Sequence, residues 1–290
     1  MFAQQLVNGL TIGAIYALTA IGYSLIYGIL RIVNFAHGDI LMMGTFFALT
    51  LTRTMGLPYL IAFPLAALFT SLLGITIERV AYRPIRVADR LATLISAMGV
   101  SIALTNLAQI IFGTGTRPFR ANFTVTSVRI GSVTLINVQF YMIILMFLLM
   151  TGLYLLVKRT KVGVAIRAAS HSINNAKLMG INTNAIISLA FAISSALAAI
   201  AGIYIGIYYD AVFPVMGYSY GIKAFASAVL GGIGSLPGAM AGGFIIGVIE
   251  SLGAAYISSG YRNAFAFGIM IVVLIVKPTG IMGKSTRDKV

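Results

Sequence analysis

Few residues of this chain could do chemistry by themselves. It has six Asp and Glu residues, two His and no Cys among 290 residues. Without Cys, disulfide bonds and thiolate metal sites are excluded, and the acidic residues and His are mostly too far apart in the chain to build a metal cluster or a catalytic triad. The polar groups that stand out are Asn34, His37 and Asp39, which lie close together, and Glu250, which lies alone in an apolar run. The sequence therefore predicts no enzyme activity, no metal site and no cofactor bound by the chain itself.

The elements that position these residues must be membrane helices. Hydrophobic residues make up 59% of the chain, charged residues make up 9%, and the mean hydropathy is +0.99, whereas a soluble domain has about 25% charged residues. A net charge of +14 would suggest a nucleic-acid partner for a soluble protein. Here, however, Lys and Arg cluster between apolar runs, as they do in the cytoplasmic loops of membrane proteins. The N-terminal segment lacks the basic region and cleavage site of a signal peptide, so we expect a retained span.

The apolar runs predict an all-α polytopic membrane protein that forms one domain over 1–290, with about 8–9 transmembrane helices. We place the spans near 6–29, 36–52, 58–77, 91–112, 138–157, 186–208, 222–233, 237–257 and 262–276. Basic residues follow the first, third and fifth runs and fill the tail. The N-terminus is therefore expected outside and the C-terminus in the cytoplasm of a bacterial cell, with the chain in the inner membrane.

These termini require an odd number of crossings, so the run 222–233 must be counted. As a helix it would cover only ~18 Å, well short of the ~30 Å hydrocarbon core. We expect a half-helix or a re-entrant segment, which is tolerated at membrane depth only where it is buried in protein or lines a cavity.

Two connecting segments have distinct patterns. In 113–137, Thr, Val and Ile alternate on either side of Gly131-Ser132, which predicts an external hairpin with a type II′ turn. The hairpin is either a plain connector or a docking surface for an external partner. The segment 158–184 is basic and predicts a short amphipathic cytoplasmic helix, preceded by Gly163 and stopped by Gly180. That helix is too polar to span, so it lies against anionic lipid or against another protein.

The polar residues before the second span are candidates for a pathway through the membrane. If this helix began only at Ile40 it would be too short to cross, so we expect it to begin near Asn34 or Phe35, with Asn34 as its cap. His37 and Asp39 then enter the membrane zone, where an ionisable group is costly unless it faces the bundle interior, water or a partner. A cap and anchor at the cytoplasmic edge would explain the same residues equally well.

Charged residues in the last spans divide into two classes. Glu250 lies deep in its run, so we expect it to face a partner or the pathway. Asp210, Lys223 and Arg262 are expected near the outer ends of their spans, as interfacial anchors.

Glycines dominate the segment that follows the short run. Gly231 and Gly232 lie at the end of that run, and Gly234 follows it. Glycines recur at intervals of four in two series, Gly234, Gly238 and Gly242 and then Gly243 and Gly247. This spacing predicts close helix packing. A second interpretation, that these glycines form a hinge or line a pathway, is not excluded by the sequence. Pro237 is expected to break the helix between the short run and the next span.

Three motifs resemble one known family. VNFAHGDILMMG, ERVAYRPIR at 78–86 and GGIGSLPGAMAGG at 231–243 are similar to segments of the permease subunit of branched-chain amino acid ABC importers. The glycine run lacks the Lys-Ser/Thr ending of a phosphate loop, so ATP must be bound and hydrolysed by partners. The resemblance implies a second permease subunit, identical or homologous, two cytoplasmic ATPase subunits and an external substrate-binding protein.

The resemblance also assigns the loop 158–184 as the coupling helix that inserts into the ATPase. The positions that match the family pattern are Gly163, Arg167, Ala168, Ala176, Gly180 and Ile181. The sequence departs from the pattern at His171-Ser172, where acidic residues are common, which indicates a different charge match on the ATPase.

Two other functions remain open at this stage. A secondary transporter would use His37, Asp39 or Glu250 as proton or cation sites, and an ABC permease could carry urea or short amides instead of amino acids. The sequence leaves the choice of substrate and the choice between homodimer and heterodimer undecided.

Overall fold

A computed structural model of the chain describes residues 1–86, 90–119, 127–130 and 133–283. The helices and strands of the described residues are α1 (Phe2–Leu30), α2 (His37–Arg53), α3 (Tyr59–Ile77), α4 (Arg90–Phe112), β1 (Ser127–Ile130), β2 (Val133–Ile136), α5 (Asn137–Arg159), α6 (Lys161–His171), α7 (Ile173–Leu178), α8 (Thr183–Tyr209), α9 (Met216–Gly231), α10 (Leu236–Tyr256) and α11 (Arg262–Val276). A π-helical turn, Glu78–Tyr82, continues α3 directly.

The predicted all-α membrane fold is confirmed. Among the described residues, seven helical segments are long and apolar enough to cross a membrane: α1, α3 with its π-helical turn, α4, α5, α8, α10, and α11 together with the 3-10 helical turn Ser259–Tyr261 that precedes it. Two further helices, α2 with 17 residues and α9 with 16, are shorter. The number of full crossings and the sides of the two termini therefore stay predictions.

The predicted boundary of the short run is wrong at its start. α9 begins at Met216 and not at 222, because the segment MGYSYGI is also helical. Its Tyr, Ser and Gly residues lower the local hydropathy, so the sequence predicts a loop there. Sixteen residues cover about 24 Å, more than the half-helix expected but less than the ~30 Å of hydrocarbon.

The chain divides into two compact units. One consists of Leu25–Phe123 and Thr151–Ile222, and the other consists of Met1–Ser24, Thr124–Met150 and Lys223–Val290. In the first unit, α2 and α8 approach each other through small residues. A Cβ added to Gly44 of α2 would lie 2.6 Å from the Cα of Ala199 in α8, so the two backbones meet at this point. The ring of Phe46 stacks on Phe112 of α4, with centroids 4.4 Å apart.

In the second unit, α1 and α10 cross with equally close backbones. A Cβ on Gly13 would lie 2.9 Å from the Cα of Phe244, and one on Gly247 would overlap the backbone of Gly13. The prediction that the regularly spaced glycines allow close helix packing is confirmed. Pro237 lies in the first turn of α10, where its missing N–H is tolerated. The hydroxyl of Ser235 caps this helix by accepting a hydrogen bond from the Gly238 N–H (3.2 Å).

β1 and β2 form an antiparallel hairpin within the segment for which the sequence predicts one. Ile130 pairs with Val133, and Ser127 pairs with Ile136. The predicted type II′ turn falls on Gly131-Ser132, which lies outside the described residues, and the external location of the hairpin stays a prediction. Gln4 of α1 exchanges two hydrogen bonds with the main chain of Thr134, at 3.1 and 2.8 Å, and so ties β2 to the start of α1.

Candidate functional site

The polar stretch before α2 is held against the end of the α3 segment. The prediction that Asn34 caps α2 is wrong, because the helix begins at His37 with Ala36 as its N-cap and no capping side chain. The Oδ1 of Asn34 accepts hydrogen bonds from the Ala36 N–H (3.1 Å) and from the Tyr82 hydroxyl (2.6 Å). Asn34 therefore orders the turn that leads into the helix, ahead of His37 and Asp39, the other two pathway candidates in this stretch.

Asp39 is buried in the first turn of α2, with 2% of its surface exposed, next to the fully buried His37. Its carboxylate accepts hydrogen bonds from the hydroxyls of Ser101 and Thr105, which lie one turn apart on α4, the second at 3.0 Å. None of the salt bridges among the described residues involves this carboxylate. The two hydroxyls and the N-terminal end of the α2 dipole are groups that stabilise negative charge on this carboxylate.

The first turns of α9 press on α2 at this point. A Cβ on Gly217 would lie 2.9 Å from the Cα of Asp39, and one on Gly38 would lie 2.9 Å from the Cα of Gly221. Side chains larger than hydrogen cannot be accommodated at either position without a shift of the backbone. The carboxylate is therefore fixed both by the hydroxyls of α4 and by the backbone of α9.

Glu250 belongs to the other unit and forms a buried ion pair. Its Oε1 lies 2.8 Å from Lys223 Nζ, with side-chain exposures of 2% and 10%. Its Oε2 accepts a hydrogen bond from the Tyr16 hydroxyl at 3.0 Å, and the Lys223 ammonium lies 5.8 Å from the Tyr16 ring centroid. The prediction that Lys223 is an interfacial anchor is wrong, because its charge is directed to a carboxylate inside the helix bundle.

Gly231, Gly232 and Gly234 form the reversal between α9 and α10. Gly232 and Gly234 have φ of 102° and 91°, values that L side chains rarely adopt. Gly231 lies against the backbone of Gly238. Glu250 lies about four turns further along α10, so the structure separates it from these glycines. Whether they line a pathway stays a prediction.

The segment between α5 and α8 contains two short helices where the sequence predicts one. α6 is capped by the Thr160 hydroxyl, which accepts from the Gly163 N–H at 3.0 Å. Gly163 therefore lies inside the first turn and does not precede the helix as predicted. Ser172 adopts an extended conformation that ends α6, and its hydroxyl caps α7 by accepting from the Asn175 N–H at 3.2 Å.

Gly180 ends α7, as the sequence predicts. Its φ is 78°, and its N–H donates to the Lys177 carbonyl while the Ile181 N–H donates to the Ala176 carbonyl. This pair of bonds is a Schellman motif, which requires a left-handed residue at the position of Gly180. Immediately before it, Leu178 and Met179 are 85% and 82% exposed.

The remaining matched loop residues differ in their surroundings. Ala176 is buried, Ala168 is half-buried and Arg167 is exposed. The Arg167 guanidinium donates to the main-chain carbonyl of Val157 at the end of α5, so it fixes α6 to the preceding span. This contact and the side-chain caps at Thr160 and Ser172 fix the conformation of the loop.

A third buried carboxylate joins the end of α3 to the start of α8. Glu78 has no exposed surface and forms salt bridges with Arg83 (2.9 Å) and Arg86 (2.6 Å). The Ser188 hydroxyl donates to it at 2.7 Å, and Arg86 also donates to Asn184 at 3.0 Å. Burial lowers the pKa of the Arg86 guanidinium, and the neighbouring Glu78 charge opposes this shift.

Residues 5–274 match the family model described as "Branched-chain amino acid transport system / permease component". The chain belongs to this family. It is 44% identical to the high-affinity branched-chain amino acid transport system permease protein BraD of Pseudomonas aeruginosa, over 100% of this chain and 98% of BraD. It is 41% identical to the corresponding permease protein LivH of Escherichia coli, over the same shares. A probable branched-chain amino acid transport permease protein of Methanocaldococcus jannaschii is 31% identical over 92% of this chain and 88% of its own.

One solved structure shares the fold of the chain. PsaBC from Streptococcus pneumoniae, solved in complex with a Fab, matches 96% of this chain with 92% of its own, at a TM-score of 0.51 and 13% identity. The family predicted from the three sequence motifs is thus confirmed. The chain is a multi-pass membrane permease, and the relatives are named as transport proteins and not as enzymes.

The sequence did not identify several side chains of this permease that form hydrogen bonds or ion pairs with its buried carboxylates. Ser101 and Thr105 are spaced i, i+4 within an apolar run, a spacing that places two hydroxyls on one helix face and could have been recognised. Nothing in the sequence around Lys223 indicates its buried ion pair, because hydropathy does not distinguish an interfacial anchor from a member of a buried ion pair. Glu78 lies in a motif rich in Arg, and that proximity was a signal for an ion-pair network.

Proposed function

We propose that this chain is the translocation subunit of an ATP-driven importer for branched-chain amino acids. The observation that carries the proposal is the match to permeases named for this transport along essentially the whole chain, at 44% and 41% identity. A second permease chain, identical or homologous, would complete the pathway in the inner membrane. Two cytoplasmic ATPases would supply the energy and bind the ATP, and an external binding protein would deliver the substrate.

Energy coupling is assigned to the segment of α6 and α7. The exposed Leu178 and Met179 form an apolar surface directly before the rigid Schellman turn at Gly180. Apolar side chains exposed on a short, well-capped helix are typical of a surface that docks on another protein. We assign Gly163, Arg167, Ala168, Ala176, Gly180 and Ile181 to this coupling surface or to its support.

The substrate pathway is assigned in part to the start of α2. An amino-acid zwitterion needs acceptors for its ammonium, and the Asp39 carboxylate, preset by Ser101 and Thr105, supplies them. Asn34 and His37 precede it, Asn34 in the turn that leads into α2 and His37 as the first residue of the helix. Gly231, Gly232 and Gly234, which form the reversal between α9 and α10, are also assigned to the pathway. The ion pair of Glu250 with Lys223 favours a role in holding the bundle.

Reconstitution in proteoliposomes tests the proposal. Labelled leucine uptake is measured with the chain alone, with its ATPase and binding-protein partners, and with the partners plus ATP. The proposal predicts uptake only in the last case, unaffected by a protonophore. Uptake by the chain alone, driven by an ion gradient and abolished by a protonophore, would overturn it in favour of a secondary transporter with Asp39 as the ion site.

A further inference from the structure

A cavity of about 520 Å³ opens beside the Glu78 network, between the end of α3 and the first turns of α8. Its polar wall contains Arg79, Arg83, Asn182 and Ser188, and its apolar wall contains Ile75 and Leu189. All of these residues belong to one compact unit. The role proposed for the chain in transport does not use this cavity.

The polar wall is strongly basic. Arg79 is exposed and forms none of the salt bridges recorded among the described residues. Arg83 and Arg86 both pair with Glu78, a carboxylate with no exposed surface, and none of these salt bridges includes Arg79. An excess of positive charge is therefore left at the cavity.

The start of α8 adds to this positive potential. Asn182 is its N-cap and accepts from the Ala185 N–H at 3.1 Å, and both residues line the cavity. The N-terminus of this 27-residue helix carries the positive end of the helix dipole. Anionic groups, phosphate among them, bind favourably at such positions when cationic side chains lie next to them.

The apolar wall continues into the surface that faces the membrane. Leu189 is 37% exposed, and Leu72 and Leu68, one and two turns back along α3 from Ile75, are 51% and 53% exposed. Since α3 is long and apolar enough to span, we expect this exposed apolar face to lie against lipid chains. An occupant that satisfies both walls has an anionic head group and a hydrocarbon chain.

We infer that this cavity binds an anionic phospholipid, with its phosphate at Arg79, Arg83 and the start of α8, and with an acyl chain along Ile75 and Leu189. The charge distribution of the sequence places this end of α3 on the cytoplasmic side, where basic pockets between membrane helices bind anionic head groups. A soluble phosphate would leave the apolar wall uncovered, and a zwitterionic lipid would leave the excess positive charge unbalanced.

Binding to the purified full-length chain tests this inference without any transport assay, so its outcome is independent of the proposed function. Native mass spectrometry in detergent would follow the binding of phosphatidylglycerol, of phosphatidylcholine and of inorganic phosphate. We expect phosphatidylglycerol to bind with clear preference over phosphatidylcholine. Inorganic phosphate at millimolar concentration should not displace it.

Two variants localise the binding. Arg79→Gln removes a charge outside the ion-pair network and should weaken phosphatidylglycerol binding about five-fold. Ala185→Glu should abolish it, because a carboxylate would enter the cavity, while the fold is retained since Glu is favourable at the third position of a helix capped by Asn182. Arg159→Gln is the matched control, an exposed arginine at the end of α5 that should leave binding unchanged.

Three results would overturn the inference. One is equal binding of the two lipids, and another is unchanged phosphatidylglycerol binding in both Arg79→Gln and Ala185→Glu. The third is full displacement by inorganic phosphate, which would identify the occupant as a soluble anion.

Discussion

Replacing Lys223 by Met should destabilise the permease far more than removing both charges of its pair. The ammonium lies 2.8 Å from the Glu250 carboxylate, and both groups are almost fully buried. Among the described residues, the single change leaves the buried carboxylate with only the Tyr16 hydroxyl as donor. Such a loss costs about 3–5 kcal/mol, whereas replacing both partners of a buried pair is often neutral. At about 2 °C per kcal/mol for a chain of this size, the thermal midpoint should fall by about 6–10 °C.

The assay is thermal unfolding of the purified protein in detergent, followed by tyrosine fluorescence because the chain has no Trp. The variants are Lys223→Met, Glu250→Gln and the double variant, with exposed Lys161→Met as the control, which should shift the midpoint by about 1 °C at most. The double variant should recover most of the stability that Lys223→Met loses. If its loss equals the sum of the two single losses, the charges are not energetically coupled and the reasoning is refuted. If both single variants keep their midpoints but lose uptake, Glu250 serves the pathway and not the fold.

Three further predictions concern the other sites. Gly180→Arg should abolish ATP-driven leucine uptake without lowering the yield of folded protein. The reason is that a side chain at φ 78° disrupts the turn beside the exposed Leu178. Normal uptake would contradict the coupling role. Gly44→Ala should lower the thermal midpoint by several degrees, because the added Cβ would meet Ala199. The control Gly152→Ala has open space around the new Cβ and should raise the midpoint slightly. Equal shifts in the two variants would contradict the close crossing of α2 and α8. Asp39→Asn should reduce leucine uptake at least ten-fold. The midpoint should stay close to that of the parent protein, because one of the Ser101 and Thr105 hydroxyls keeps its acceptor and the other can accept from the new amide NH2. Unchanged uptake would contradict the assignment of Asp39 to the pathway.

The spans could be predicted from the sequence because length and apolarity decide them, and most predicted boundaries lie within a few residues of those observed. The exceptions have local causes. α9 starts early because Tyr and Gly in MGYSYGI are compatible with a buried helix end, although they lower the hydropathy of the segment. The segment between α5 and α8 is split into two helices because the Ser172 hydroxyl accepts a hydrogen bond from the Asn175 N–H. This local bond competes with a continuous helix, and hydrophobic periodicity does not predict it.

The partners of the buried charges could not be predicted in the same way. Glu250 is identified from sequence as a costly group, but its partner lies 27 residues away on another helix, and nothing in the local pattern of Lys223 indicates the pairing. Asp39 is also identified, while Ser101 and Thr105 are 62 and 66 residues away. In a membrane, position along a span shows that a polar group needs a partner, but only the packing of the helices shows which partner it has.

Accumulation of leucine by the complete assembly tests the central claim most directly. Labelled leucine is supplied outside proteoliposomes that contain the chain, its permease partner and the ATPases, with the binding protein outside and ATP available to the ATPases. The account predicts an internal leucine concentration above the external one, reduced by excess isoleucine or valine and unchanged by urea or acetamide. Equilibration without accumulation, or competition by urea in place of valine, would contradict it.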